Sequence, residues 1–166
     1  MMNQTHSEIL PSEVSHSNMK SYEEARSEFS WDTIERHFTW YETGKVNMAY
    51  EAIDRHVAEG KGDKIALLYS DATRDEAITY SEMKEQSDKF GNVLRKYGIG
   101  KGDRVFIFMP RSPELYASLL GILKVGAVVG PLFEAFMETA VKDRLEDSGA
   151  VALVTTPALL PRVKRD

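Results

Sequence analysis

The apolar positions of this chain change rhythm several times, and each change predicts an element. Val105 to Met109 is a continuous apolar, β-rich run, the pattern of a strand buried on both faces. Pro110 and Arg111 interrupt it, Ser112 offers a hydroxyl as N-cap, and Pro113 suits the first helical position. A helix is expected from there to Lys124. Its apolar residues (Leu115, Tyr116, Leu119, Leu120, Ile122 and Leu123) cover most of the circumference, which predicts a helix sandwiched between layers. Ala117 and Gly121 form a small pair one turn apart where a neighbouring element can come close. Gly126 ends the helix, and Ala127 to Leu132 reads as a second buried strand. Such a β-α-β unit closes with a right-handed crossover and a parallel sheet.

Before this unit, Ile65 to Tyr69 reads as a strand and the polar DATRDEA after it as a connecting turn. Ile78 resumes apolar structure. Thr79 and Glu82 then form a capping box, with Ile78 and Met83 as its hydrophobic staple. The long amphipathic helix that follows uses Met83, Phe90, Val93, Leu94 and Tyr97, and Gly98 should end it as a left-handed cap with Ile99 against Leu94. After the unit, Phe136, Met137, Ala140, Val141 and Leu145 define another amphipathic helix, with Glu138 one turn before Lys142. Gly149 ends it, Val151 to Val154 is a third buried-type strand, and Thr156 with Pro157 repeats the cap-then-proline start.

The N-terminal third is more polar. Met1 to about Met19 has no periodicity and reads as a mobile tail; its His6 and His16 have no spacing that supports a metal site. Trp31, Ile34 and Phe38 share one helical face, expected to pack on the body of the protein. From Trp40 to Gly60, Asn47 caps a helix whose Ala49, Ala52, Ile53, His56 and Val57 line one side. His56 has no acid or nucleophile placed for it and reads as a packed residue. The expected organisation is a disordered tail over 1–19, a helical extension over 20–62 and a parallel α/β layer over 63–166.

Composition narrows the class of protein. With 166 residues and 42% hydrophobic content the chain can bury a sizeable core. A net charge of −5 argues against a nucleic-acid partner, and the absence of cysteine excludes disulfides and thiolate chemistry. The start, MMNQTHSEILPSE, lacks the basic and apolar segments of a secretory signal, so a cytoplasmic protein is expected. Leu115 to Phe133 approaches the roughly 20 apolar residues of a membrane span. Lys124, Gly126 and Pro131 interrupt it, and no membrane association is expected.

Candidate chemistry lies where the strands end. Ligands of open parallel sheets bind beyond the carboxyl ends, and three loops leave such ends: Pro110–Arg111–Ser112, Phe133–Glu134–Ala135 and Thr155–Thr156–Pro157. Arg111 and the helix start beside it could hold an anion, or Arg111 is a solvated or structural charge; Glu134 has no visible partner. The glycine-rich GIGKGDR, Gly98 to Arg104, follows a helix and opens a strand, the reverse of a phosphate loop, and reads as a connector. No metal-ligand cluster, nucleophile elbow or Walker loop is present.

The order ITYSEMKEQSDKFGNVLRKYGIGKGDRVFIFMPRSPELYASLLGILKVGAVVGPL resembles the opening of the adenylate-forming acyl-CoA synthetase family. The preceding WYETGKVNMAYEAIDRH is similar to the segment before the core in the acetate-specific branch. The resemblance runs from about Trp31 to the last residue. It implies an AMP-forming acetate–CoA ligase that uses ATP, Mg²⁺ and coenzyme A, with acetate as substrate. It also implies that the chain is an N-terminal portion, because the family's phosphate-binding loop, metal-holding acid, ribose-binding acid and C-terminal lysine have no counterparts here. No catalytic residue is therefore expected, and a segment alone would be inactive. In the same family an Arg-x-x-Arg pair beyond the third strand lies near the coenzyme A phosphates. Arg162 and Arg165 match it with a one-residue shift, and an ordinary basic helix end is the competing reading.

Two other readings stay open at this point: a naturally short, non-catalytic interaction module, and a ligase of the same family using propionate or another short or medium-chain acid. An open reading frame continuing beyond Asp166 into a Ser/Gly-rich loop and a lysine would separate the module from the portion. A sheet this narrow is also expected to leave a hydrophobic strand edge unpaired, so the isolated chain should be poorly soluble or partly molten.

Overall fold

A computed structural model describes residues 21–163, and the chain divides into units 1–44 and 45–166. The expected tail over 1–19, with His6 and His16, lies outside the described residues, as does Arg165. In the first unit, α1 (Tyr22–Glu28) is capped by Ser21, whose hydroxyl accepts the Glu24 N–H at 3.1 Å. Two short helices follow, α2 (Trp31–Glu35) and α3 (Trp40–Thr43), the latter ended by Gly44 at φ +64°. The aromatic residues pair locally: Phe29 meets Trp31 edge-on at 5.2 Å, and Phe38 stacks on Trp40 at 4.1 Å. Trp31, expected to be covered with Ile34 and Phe38, is 70% exposed.

The second unit begins with a helical segment that winds more widely than expected. Asn47 caps it as predicted, its Oδ1 accepting the N–H groups of Ala49 and Tyr50 at 3.1 and 3.2 Å. Tyr50–Asp54 and Val57–Lys61 are then π-helical, with a break at Gly60, φ +77°. The wider turn rotates the buried face. Ala49 and Ile53 are buried as expected, but Ala52 is exposed and Glu51 takes an inward position. His56 packs edge-on against the Tyr80 ring at 4.9 Å.

Strands β1 (Ile65–Ser70) and β2 (Asp75–Thr79) form an antiparallel hairpin, so the last three residues of the polar stretch read as a turn are strand. Asp71 compresses the turn: its Oδ1 accepts the N–H of Thr73 at 2.6 Å and of Arg74 at 2.9 Å. The Tyr69 hydroxyl first, then Thr73 and Arg74, hold this carboxyl well below the usual carboxylate range. The long helix α4 (Tyr80–Lys96) starts and stops as the sequence predicts. At its start, Thr79 N–H donates to Glu82 Oε2 at 2.8 Å while Glu82 N–H donates to Thr79 Oγ1 at 3.2 Å. At its end, Gly98 adopts φ +77°, Ile99 N–H reaches Leu94 O at 3.0 Å and Gly98 N–H reaches Arg95 O at 3.0 Å, the paired bonds of a Schellman motif.

The remainder is a doubly wound layer. Strands β3 (Arg104–Phe108), β4 (Val128–Pro131) and β5 (Ala152–Thr155) form a parallel sheet in the order β4-β3-β5. Helix α5 (Pro113–Lys124) connects the first pair, and α6 (Glu138–Ser148) carries the chain back past β3. Alternation along β3 sends Val105 and Ile107 to the face shared with Leu94 of α4 and Ile122 of α5. Phe108 turns to the opposite face with Val141 of α6. Helices α4 and α5 meet at Gly91 and Gly121, where the Gly121 carbonyl lies 3.4 Å from the position a Gly91 Cβ would take, so the small residue read from the pattern serves a close crossing. Lys142 lies 3.5 Å from Glu146, one turn further along α6.

Two ends of this layer differ. At the amino ends of the strands, Arg104 ties β3 to the end of α6, its Nε donating to Ser148 O at 3.0 Å and its Nη2 to Gly149 O at 2.6 Å. Beyond Thr156 and Pro157 the expected helix does not form among the described residues; the chain makes turns and a 3-10 turn, Leu160–Arg162. Pro161 is the reason, since it has no N–H for Pro157 four residues earlier and its ring would strike that carbonyl.

Candidate functional site

The carboxyl ends of β3, β4 and β5 share one rim, and each of the three expected loops leaves from it. After β3, Ser112 occupies the N-cap position of α5, yet its hydroxyl makes no cap bond. It serves Glu114 instead, and this hydrogen bond, working against burial and assisted by Arg74, holds the Glu114 carboxyl below its ordinary range. Arg74 from the hairpin lies 3.3 Å from both Glu114 oxygens, which fixes the start of α5 to the β1–β2 turn. Arg111 itself is exposed.

After β4, Phe133 is 62% exposed and meets Phe136 edge-on at 5.9 Å, while the Arg144 guanidinium covers Phe136 at 4.2 Å. After β5, Thr155 Oγ1 donates to Phe108 O at 2.8 Å and locks two strand ends together. The Thr156 hydroxyl is buried and has no hydrogen-bond partner among the described residues. Arg162 is brought to this rim: its Nη1 donates to Glu134 O at 2.9 Å, joining the segment after β5 to the loop after β4 across the end of the central strand. Half-buried, its side chain makes no other hydrogen bond among the described residues, so the remaining N–H groups of its planar fork can take an anion.

Other groups do not fit the phosphates or a cation. In the glycine-rich connector, Gly102 N–H donates to Gly126 O at 3.1 Å and Gly100 N–H to the Asp103 carboxylate at 2.8 Å, so these amides are occupied within the protein. Among the described residues no set of three or more His, Asp or Glu gathers as a metal would require, and no step through Mg²⁺ is assigned to them. No helix among the described residues is long and apolar enough to cross a membrane.

One cluster went unread in the sequence. Lys124 Nζ, at the end of α5, lies 2.9 Å from Asp54 Oδ2 and 2.7 Å from Asp88 Oδ1, and its side chain is 11% exposed. Lys84 joins the same carboxylates, 2.6 Å from Asp88 and 3.5 Å from Asp54. Burial disfavours the charge on Asp88, but hydrogen bonds from Lys124 and Lys84 outweigh it and hold the carboxyl below its ordinary value. With Asn47 Nδ2 donating to Leu123 O at 3.1 Å, these contacts clip the π-helical segment to α4 and α5. The signal was present: a lone lysine inside an apolar helix needs a buried partner.

A scan against family models matches residues 54–166 to the AMP-binding enzyme family. The chain belongs to this family. Its similarity is strong to the acetyl-coenzyme A synthetase of Bacillus subtilis (strain 168), 60% identical over 158 residues, covering 95% of this chain and 28% of that protein. The acetyl-coenzyme A synthetase of Rubrobacter xylanophilus is 38% identical over 127 residues, covering 75% of this chain and 19% of its own length. Among solved structures, the acyl-CoA synthetase of Brucella canis superposes with a TM-score of 0.74 at 30% identity, over 88% of this chain and 27% of that one. The chain thus spans about a quarter or less of the relatives it matches.

Proposed function

We propose that this chain is the N-terminal portion of an AMP-forming acetate–CoA ligase. The complete enzyme, with Mg²⁺, joins acetate to the α-phosphate of ATP as acetyl-adenylate, releasing pyrophosphate, and passes the acetyl group to the coenzyme A thiol, releasing AMP. The observation that carries this reading is the 60% identity to the Bacillus acetyl-coenzyme A synthetase, confined to 28% of that protein. In the organisation we assign, 20–62 is an extension, 63–166 the incomplete start of the adenylate-forming domain, and 1–19 a tail; the setting is the cytoplasm. The residues here act as a scaffold for the rim and, through Arg162 and Arg165, as contacts for coenzyme A phosphates. Coenzyme A supplies the thiol that accepts the acetyl group. Arg162 suits its phosphates because its fork is held by Glu134 O on one side and open on the other.

The test compares the 166-residue chain with a chain continued along its gene to the relatives' length. The longer chain should catalyse acetate-dependent exchange of pyrophosphate into ATP, and the shorter should not. Exchange by the shorter chain would contradict the portion; a longer chain that ignores acetate would contradict the substrate. In the longer chain, Arg162→Glu with Arg165→Glu should raise KM for coenzyme A at least about 10-fold, as expected for losing charge-assisted contacts, and leave the exchange rate intact. An unchanged KM would remove both arginines from the site.

A further inference from the structure

The Arg162 fork takes its direction from a carbonyl, and that carbonyl sits in a tight turn. Phe133 to Phe136 closes on itself after β4, the Phe136 N–H donating to Phe133 O at 3.0 Å. The same two residues close it a second time through their rings, edge-on at 5.9 Å. Glu134, between them, gives its backbone oxygen to Arg162 Nη1 at 2.9 Å. Phe133 is 62% exposed and cannot anchor the turn. Phe136 can: it packs against the cluster of Phe108, Leu132, Val141 and Leu159. Val163, the neighbour of Arg162, packs on that cluster too, so Phe136 shares its support with the segment that Arg162 leaves from.

What else holds the ring is a cation. Arg144 of α6 lays its guanidinium over Phe136, 4.2 Å from the ring centre, and rests Nη1 on Ala140 O at 2.8 Å. Side chains on a helix lean towards its N-terminus, so Arg144 reaches back to the loop from which α6 starts. Other partners were near. Helix α6 carries Glu138, Asp143, Glu146 and Asp147, and an exposed arginine ordinarily finds one of them. Among the described residues the ion pair of this helix joins Lys142 to Glu146 and leaves Arg144 to the ring. The negative face of an aromatic ring attracts a cation. Held by the core cluster and by a guanidinium, Phe136 has one orientation, and the turn that ends on it has one as well.

We propose that Arg144 is a positioning residue for coenzyme A: it fixes Phe136, Phe136 fixes the turn bearing Glu134 O, and that oxygen aims the remaining N–H groups of Arg162 at a phosphate. The role rests on the reading of Arg162 as a coenzyme A contact. Arg144 touches no phosphate itself. It keeps the fork from swinging, and preorganisation of this kind is felt as affinity.

Kinetics of the longer chain test the role. Arg144→Ala should raise KM for coenzyme A about 4-fold, the size of an exposed cation–ring contact, with kcat at saturating coenzyme A and KM for ATP at their wild-type values. Arg144→Lys keeps a cation for the ring and should recover much of the loss. Phe136→Leu removes the ring and leaves the cation, and should raise KM as Arg144→Ala does. The double variant decides between routes. Adding Arg144→Ala to Arg162→Ala should change KM no further, because the fork to be aimed is gone. An additive rise would overturn the inference and make Arg144 an independent charge near the phosphates. So would an unchanged KM in Arg144→Ala. A KM for ATP that rises with that for coenzyme A, alongside a lower melting temperature, would also overturn it and leave Arg144 a structural residue of α6. Arg162→Ala alone scores the coenzyme A reading. If it leaves KM unchanged, that reading falls and the positioning role with it; if it raises KM while Arg144→Ala does not, the role alone falls.

Discussion

Replacing Lys124 with methionine is expected to destabilise the 45–166 unit by about 3 kcal/mol, the cost of breaking a buried ion pair from one side. The ammonium is the common partner of Asp54 and Asp88, and Asp54 is itself 13% exposed, so water cannot replace what is lost there. Lys84 remains 3.5 Å from Asp54 and compensates in part. Thermal melting should drop by about 8 °C for a chain of this size. Adding Asp54→Leu to the methionine variant should recover much of that, because the orphaned carboxylate goes with it. A single variant that melts within a degree of the wild type would show that the cluster is solvated and contributes little. The same cluster sets an acid limit. Asp88 is held below its ordinary value in the folded chain, so its contribution is present above the unfolded value near about 3.9 and is lost as pH falls through the lower folded value. Lysine 84 is shifted the other way, raised chiefly by its hydrogen bond to Asp88; its contribution is present below the unfolded value and fades as pH rises through the folded one. Stability followed from pH 5 to pH 2 should therefore fall less steeply in Lys124→Met than in the wild type.

Gly121→Ala should cost about 2 kcal/mol although it exchanges glycine for the best helix former. A Cβ at this position would sit 2.9 Å from Ser87 O and 3.1 Å from Gly91 N, both backbone atoms of α4, and 2.9 Å from Phe90 Cδ1. A side chain could swing away; a helix backbone cannot, so α4 and α5 must separate. Gly91→Ala is the control. Its Cβ would meet Gly121 O at 3.4 Å and Val125 Cγ1 at 3.5 Å, ordinary contacts, and the helix-propensity gain of up to about 1 kcal/mol offsets them. Denaturant unfolding of the two variants should thus differ in sign or nearly so. Equal losses would mean that the crossing is not set by Gly121.

Elements whose signals lie within a few residues were legible in the sequence. The Thr79–Glu82 box, the Gly98–Ile99 stop and the proline at the head of α5 are each local hydrogen-bond or dihedral rules, and they appear where the pattern put them. The parallel β3-α5-β4 unit followed from a buried strand that needs a cover. What was missed depends on partners far along the chain. Asp54 and Lys124 are 70 residues apart, and Arg162 and Glu134 are 28 apart, so no window of sequence pairs them. The π winding after Asn47 moved Ala52 out and Glu51 in, because the burial pattern was read at 3.6 residues per turn. The helix expected at Thr156 and Pro157 was a local error: Pro161 was in plain view and forbids it. At the rim, Arg162 was placed among the site residues by resemblance, while its tether to Glu134 came only with the fold.

Arg104 draws a line through the molecule. Its guanidinium stitches the last carbonyls of α6 to the entry of the central strand, a side-chain seam on the amino-end side of the sheet. The loops bearing Arg111 and Phe133 leave from the other side and take no part in that seam. Remodelling those loops, by chance or by design, therefore leaves strand register intact, and a library confined to them should yield mostly folded proteins with altered rims.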